Sequence, residues 1–192
     1  MTDAALRAVP FENDAHAVAR ALLGSTFLLH GVGGTIVEVE AYAPDDPASH
    51  SFGGPTRRNA TMFGPAGRLY VYRSYGVHWC ANVVCGAEGE GSAVLIRALE
   101  PTSGVEHMCR RRGIDEPKLL CAGPGRLTEA LGITGEHDGR PVDRTPFAFL
   151  PRTHALAVEA GPRIGISRAV EKPWRYWLRD SQFTSHRSQP RA

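Results

Sequence analysis

The sequence predicts an α+β fold: one domain with an antiparallel sheet and few helices. Two observations lead there. Short runs rich in β-branched and aromatic residues follow one another closely, as at Thr35–Tyr42, Leu69–Tyr75, Trp79–Cys85 and Ser92–Leu99, while stretches with helical periodicity are few. The chain of 192 residues, 42% hydrophobic and 22% charged, has the length and balance of a single globular domain with a sizeable core. It holds no internal repeat, low-complexity tract or linker, so the domain is taken as residues 1–192, with 1–10 and 185–192 expected to be flexible.

Taken in order, Asn13–Gly24 (NDAHAVARALLG) reads as a helix, with Asn13 as N-cap, Gly24 as stop and Val18, Ala21 and Leu22 as its apolar stripe. Ser25–His30 reads as a strand, turned by Gly31-Val32-Gly33-Gly34 into the strand Thr35–Tyr42. Two prolines and two aspartates in Tyr42–Pro47 then break regular structure, and Ala48–Gly54 and Thr56–Gly67 continue as loop, with His50 in the first and exposed Arg57, Arg58 and Asn59 in the second. Arg-Arg-Asn in a loop is as good a phosphate contact as it is a solvated surface. Leu69–Tyr75 and Trp79–Cys85 read as a hairpin turned at Gly76-Val77, which puts Tyr75 near its tip. Ser92–Leu99 is a strand ending at Glu100-Pro101, with Arg97 set in apolar sequence, where arginine ordinarily has an anionic partner. Thr102–Gly113 reads as a helix, Cys121–Gly132 as a glycine-bearing loop opening a helix, and Glu159–Ser167 and Lys172–Arg179 as strands.

Composition excludes several classes. No apolar run approaches the roughly 20 residues of a membrane span, and the N-terminus lacks the pattern of a signal peptide, so a cytoplasmic protein without a membrane partner is expected. Cys80, Cys85, Cys109 and Cys121 form no C-x-x-C pair and read as structural thiols rather than zinc ligands. The pairs His78-x-Cys80 and His107-x-Cys109 are weak metal signals. Charge is uneven. Residues 1–50 carry Asp3, Glu12, Asp14, Glu38, Glu40, Asp45 and Asp46 against Arg7 and Arg20, a net −5. Residues 161–192 carry Arg163, Arg168, Lys172, Arg175, Arg179, Arg187 and Arg191 against Glu171 and Asp180, a net +5. Such asymmetry suits a polyanion bound on one side, although a basic tail produces it equally well. Lysine occurs only at Lys118 and Lys172, which limits any chemistry that needs an amine.

The stretch that carries most chemistry is TIVEVEAY. Alternation places Val37, Val39 and Ala41 on one face and Ile36, Glu38, Glu40 and Tyr42 on the other. Two glutamates and a tyrosine do not suit a core, because an unpaired carboxylate out of water costs several kcal/mol. The second face is therefore expected to line a wet cleft rather than to be buried. Standing alone, E-x-E on a strand is more often a solvated sheet face. Adding His50, Tyr72, Tyr75, Asn82 and Arg97 gives one carboxylate base, stacking aromatics, an amide and an arginine, a set suited to a flat nucleobase.

The motifs VEVEAYAPDDPASHS, GRLYVYRSYGVHWCANVV, VLIRALEP and LCAGPGRLTEALGI, in this order, resemble the alkyladenine (3-methyladenine) DNA glycosylase family over about Leu22–Arg179. The resemblance implies a curved antiparallel sheet with flanking helices, similar to the C-terminal domain of methionyl-tRNA formyltransferase. It implies a bacterial base-excision-repair enzyme that flips alkylated or deaminated purines (3-methyladenine, 7-methylguanine, hypoxanthine, ethenoadenine) out of double-stranded DNA and hydrolyses the glycosidic bond. By the same likeness Glu40 is the general base and Arg97 holds the attacking water. Tyr42, His50 and Tyr72 wall the base pocket, and the Ile166 carbonyl adds a contact. Asn82 crowds the 2-amino group of guanine, and Tyr75 is the wedge that enters DNA. The turn between Tyr42 and His50 is about one residue shorter than in mammalian members. No cofactor and no metal are expected, and the enzyme is expected to be a monomer without lyase activity. Competing readings are a non-catalytic nucleic-acid-binding module of the same fold, a metal hydrolase using His50, His78 and carboxylates, and a protein whose aromatics are simply core.

Overall fold

Strand β2 (Val32–Tyr42) is the spine of the molecule, whose computed structural model describes residues 9–185. Along one edge β2 pairs with β5 (Ser92–Ser103) from Gly33 to Tyr42. Its other edge is shared: Val32–Thr35 pair with β1 (Thr26–Leu29), and Glu38–Glu40 pair with β8 (Arg175–Leu178). The eight described strands form one antiparallel sheet in the order β3-β4-β5-β2-β1-β6, with β7 carried on β8. Here β3 is Leu69–Ser74, β4 His78–Cys85, β6 Phe147–Leu150 and β7 Val158–Gly161.

The handover from β1 to β8 coincides with an irregularity that alternation alone does not foresee. Ile36 faces Leu99 and Glu38 faces Ala98, so Val37 is an extra residue on β2; Val39 then faces Ile96, so Arg97 is passed over on β5. A bulge bends its strand and re-aims the side chains beside it. The expected faces are corrected accordingly. Ile36 joins Val39 and Ala41 in the main core, whereas Val37, although buried, lies outside that cluster. Glycine makes the close packing at the start of β2 possible. A Cβ on Gly34 would stand 1.9 Å from the Glu100 carbonyl oxygen, and one on Gly33 would stand 2.0 Å from that of Phe27.

Helices α1 (Ala15–Leu22), α2 (Val105–Arg112), α3 (Pro117–Leu120) and α4 (Pro124–Leu131) supply Val18, Leu22, Met108, Leu120, Leu127 and Leu131 to the same core as sheet residues Leu69, Val71, Val83, Val94, Ile96 and Leu99. Each such fully buried Leu or Ile is worth about 1.5–3 kcal/mol over an exposed one. A smaller cluster of Met62, Tyr70, Val84 and Ala93 forms a second apolar layer, against which Tyr72 packs. Tyr72 also lines the site described below.

Several boundaries differ from the sequence reading. The cap of α1 is Asp14 rather than Asn13: its Oδ1 accepts from the backbone N–H of His16 and Ala17 at 2.9 and 3.0 Å. The turn into β2 is His30-Gly31, both with positive φ, so β2 begins at Val32. β5 runs through Glu100-Pro101 to Ser103, and Ala60–Phe63 form a 3₁₀ turn inside the expected loop. The strand expected at Glu159–Ser167 stops at Gly161, and the rest is a loop. The expected mobile ends, 1–10 and 185–192, lie outside the described residues except at Val9, Pro10 and Ser185; Val9 is in the core and Ser185 is hydrogen-bonded to Glu38.

Gly34→Ala is expected to lower stability by about 3 kcal/mol or more, since the clash is with backbone. Asp14→Ala should cost about 1 kcal/mol. Urea unfolding midpoints of the two variants, with unchanged slopes, check both; an unshifted midpoint for Gly34→Ala would contradict the described pairing.

Candidate active site

On its polar side the sheet is covered by the 43–59 and 162–168 loops, and between them opens a cavity of about 820 Å³. Its walls are aromatic. Tyr70 and Tyr72 point the same way from β3, two residues apart, and their rings stack with centroids 5.5 Å apart. His50 stands edge-on to Tyr72 at 4.4 Å, and its Nδ1 is 3.1 Å from the Tyr70 hydroxyl. Asn59, expected to be exposed, is buried instead and fixes the His50 loop, donating from Nδ2 to the carbonyls of His50 and Gly54 at 2.8 and 3.1 Å. Asn82 reaches the cavity from β4 and donates to the Tyr70 carbonyl at 3.1 Å.

Tyr42 forms the opposite wall and is braced from behind. The Arg163 guanidinium lies 4.7 Å over its ring and 5.1 Å over that of Trp174. Arg163 is held by a fully buried ion pair with Asp46, with Nη2 at 2.9 Å from Oδ1, and by the Ala41 carbonyl at 3.1 Å. Asp46 belongs to the Pro-Asp-Asp-Pro segment that leads to His50. One buried pair thus ties the His50 loop to the 162–168 loop.

Behind Tyr42 and Arg97 lie two carboxylates with 0% exposure, Glu38 and Glu40. Glu40 Oε2 accepts from the Tyr42 hydroxyl at 2.8 Å, and Oε1 accepts from the Ile164 N–H at 2.7 Å. Arg97 sits between the two acids, Nη1 at 3.2 Å from Glu40 and Nε at 3.3 Å from Glu38. These are close charges rather than aligned hydrogen bonds, and Nε has no hydrogen-bond partner among the described residues. The expectation of a wet carboxylate face is corrected here. Both acids are sealed from water, and three cations, Arg97, Arg163 and Arg175, surround them at contact or near-contact range.

The remaining expected residues fall as follows. Tyr42, His50, Tyr72, Asn82, Arg97, Ile166 and Tyr75 all line this cavity; Glu40 lies behind its wall. The backbone contact to Glu40 comes from Ile164, two residues before Ile166. Tyr75 is 89% exposed at the hairpin tip, and Val77 beside it is 74% exposed. Tyr75 and Gly76 have φ of +49° and +70°, and Val77 N–H closes the turn on the Ser74 carbonyl at 2.9 Å. A tyrosine in left-handed backbone with its ring in water is an outlier of the kind that collects at functional sites. Arg58 also lines the cavity and donates to the Arg73 carbonyl at 3.1 Å. The sequence reading missed Tyr70, Asp46 and Arg163 as parts of the site, and it put Glu38 on the cleft face without a role. The turn-forming look of Asp46 and the strand-like look of Arg163 concealed them.

Burial, with a smaller push from Arg58, lowers the His50 pKa below 6.5, so the ring is neutral at pH 7. Burial and then the Glu40 charge raise Tyr42 well above 10. Burial pushes Tyr70 up to about 12, and raises Tyr72 and the Cys80 thiol as well. The aromatic walls are therefore uncharged, the charged side chains of the lining are Arg58, Arg97 and Arg168, and the carboxylates lie behind it. Such a cavity can stack a flat heterocycle against its tyrosine faces. Among the described residues no group of three or more His, Cys, Asp or Glu could hold a metal ion, and no helix is long and apolar enough to cross a membrane.

A family model described as methylpurine-DNA glycosylase matches residues 10–182. Relatives named, by inference, 3-methyladenine DNA glycosylases include one from Rhodopseudomonas palustris, 59% identical over 175 residues, 91% of this chain and 85% of its own. One from Agrobacterium fabrum is 57% identical over 180 residues, covering 94% and 92%, and one from Bradyrhizobium diazoefficiens is 58% identical over 175 residues, covering 91% and 88%.

Asp46→Ala, which leaves Arg163 buried and unpaired, should cost roughly 3–5 kcal/mol in urea unfolding. The His50 ring should titrate below 6.5, followed by NMR of its carbon-bound protons. The unfolded chain then takes up this proton first, so the contribution of His50 to stability declines as pH falls through the window just below 6.5.

Proposed function

Because the chain belongs to the methylpurine-DNA glycosylase family, we propose that it excises alkylated or deaminated purines from double-stranded DNA, leaving an abasic site. The observation that carries this reading is Arg97, held between two buried carboxylates at the floor of an aromatic cavity whose rim bears exposed Tyr75. The lesions are of the 3-methyladenine, 7-methylguanine, hypoxanthine and ethenoadenine class. The same reading carries the likeness of the sheet to the C-terminal domain of methionyl-tRNA formyltransferase.

The flipped base stacks among Tyr42, Tyr72 and His50. An N3- or N7-alkylated purine is cationic, and electron-rich tyrosine faces attract it. His50, being neutral, offers a hydrogen bond to the base edge or the adjoining phosphate without adding positive charge. Asn82 crowds the position a guanine 2-amino group would take, and the backbone of Ile166 closes the pocket. Tyr75, already in water at the hairpin tip, enters the minor groove and offsets part of the stacking lost on flipping.

As the glycosidic bond breaks, positive charge develops at C1′. Glu40 stabilises that charge and takes the proton of a water held against Arg97, and the water attacks C1′. Neutral lesions such as hypoxanthine need protonation of the departing base as well. The enzyme acts as a monomer, and no lyase step follows, because that step needs an amine at C1′. Supporting this, Lys118 bonds Gln182 and Lys172 packs 4.0 Å over Trp174, both away from the cavity wall.

One observation favours a second reading. Glu40 is absent from the cavity wall, as it would be in a module that binds nucleic acid without catalysis. The two readings separate on a duplex with one hypoxanthine or ethenoadenine. Wild type should release the base, seen as alkali-sensitive cleavage, with full activity in EDTA and no covalent adduct on borohydride trapping. Glu40→Gln should lose release by at least about 10²-fold while keeping DNA binding. Binding without release on every lesion, 3-methyladenine in methylated DNA included, establishes the module instead.

A further inference from the structure

Glu38 is the more deeply tied of the two carboxylates. Its Oε1 accepts from Arg175 Nη1 at 3.0 Å and from the Ser185 hydroxyl at 2.9 Å, its Oε2 accepts from the Ser185 N–H, and Arg97 Nε stands at 3.3 Å. Ser185 closes the ring by accepting from Arg97 Nη2 at 3.3 Å. Arg97 therefore has one nitrogen toward each acid and a third on the strap that seals the first. Its backbone is the residue skipped in the β2–β5 register, directly beside Glu38. We propose that Glu38 is a positioning residue that shares the Arg97 charge with Glu40 and fixes the guanidinium where the attacking water must sit. The inference rests on the glycosylase reading above and adds to it a residue that never touches substrate.

The physical argument is one of competition. Arg97 carries a single charge and faces two buried anions at nearly equal distances, 3.2 and 3.3 Å. Arg175 supplies the second cation on the side of Glu38, held there by its Nε bond to the Pro162 carbonyl at 2.9 Å and by its stacking 4.3 Å over Trp177. With Glu38 satisfied by Arg175 and Ser185, Arg97 stays between the two acids instead of closing on Glu40 alone. Without Glu38, Arg97 closes on Glu40 alone, and the carboxylate becomes a weaker base in a fixed ion pair. Without Arg175, Arg97 is drawn toward Glu38, and Glu40 loses positive neighbours.

Among the described residues the charged and titratable groups facing Glu40 are few: Arg97 from β5, Tyr42 and, through the shared Arg97, Glu38 from its own strand, Arg163 from the loop that covers it, Arg175 of the paired β8, and Tyr72 and Cys80 from β3 and β4. Tyr42, Tyr72 and Cys80 are all pushed upward and stay protonated through the acid range. His50, whose pKa lies below 6.5, titrates in this range in wild type and in every variant, so the displacement of a variant's acid limb from that of wild type, rather than the limb itself, reports the charge around Glu40.

The test is single-turnover excision of hypoxanthine from a duplex between pH 4.5 and 8 with the full chain. The variants are Glu38→Gln, Glu38→Asp and Arg175→Gln, with thermal unfolding and duplex affinity measured in parallel. Glu38→Gln should bind DNA as wild type does, lose about 10- to 100-fold in plateau rate, the scale on which outer partners of active-site groups act, and move the acid limb to lower pH. Arg175→Gln should move the limb to higher pH. Glu38→Asp keeps the charge and should leave the limb in place. A structural role alone gives no limb shifts of opposite sign. Wild-type rate and limb in Glu38→Gln overturn the proposal. If Glu38→Gln does not fold, Arg175→Gln decides, and an unmoved limb there overturns it. Absence of base release by wild type is the separate failure of the glycosylase reading.

Discussion

Glu38 and Glu40 are two carboxylates kept wholly out of water on one strand, and much of the architecture answers that constraint. Removing an ion from water costs several kcal/mol even after relaxation, so each buried acid needs a counter-charge and further donors. Arg97 reaches both because the sheet bulges beside it, skipping its place in the β2–β5 register. β8 replaces β1 as the edge partner of β2 at that point, and brings Arg175 to Glu38. The segment after Gly161 leaves the sheet and gives the Ile164 N–H to Glu40 and the Arg163 guanidinium to the back of Tyr42.

The division of the molecule into two faces follows. Helices and apolar strand residues form the core on one side of the sheet, and the stacked tyrosines, His50, Asn82 and the buried charges occupy the other. The cavity has stacked aromatic faces over a floor in which the buried carboxylates are matched by arginines. Its tyrosine faces accept any flat heterocycle and attract a cationic one. The hairpin tip is built on opposite terms: Tyr75 and Val77 hold apolar surface in water, a cost recovered once they meet a partner.

The sequence by itself determined the fold class, most strand positions and the hairpin, because period-two alternation and turn residues act locally. Its ordered motifs also singled out Glu40, Tyr42, His50, Tyr72, Tyr75, Asn82 and Arg97, the family likeness added Ile166, and with the exception of Glu40 these line one cavity. Tertiary structure alone decided the fate of the acids. Read along the strand, Glu38 and Glu40 belong in water, since an unpaired carboxylate cannot be buried. They are buried because Arg97, Arg175 and Ser185, 57 or more positions away in sequence, converge on them. The bulge at Val37 and the pair Asp46–Arg163, separated by 117 residues, are of the same kind. Each depends on how distant strands meet, and no local pattern of residues records that.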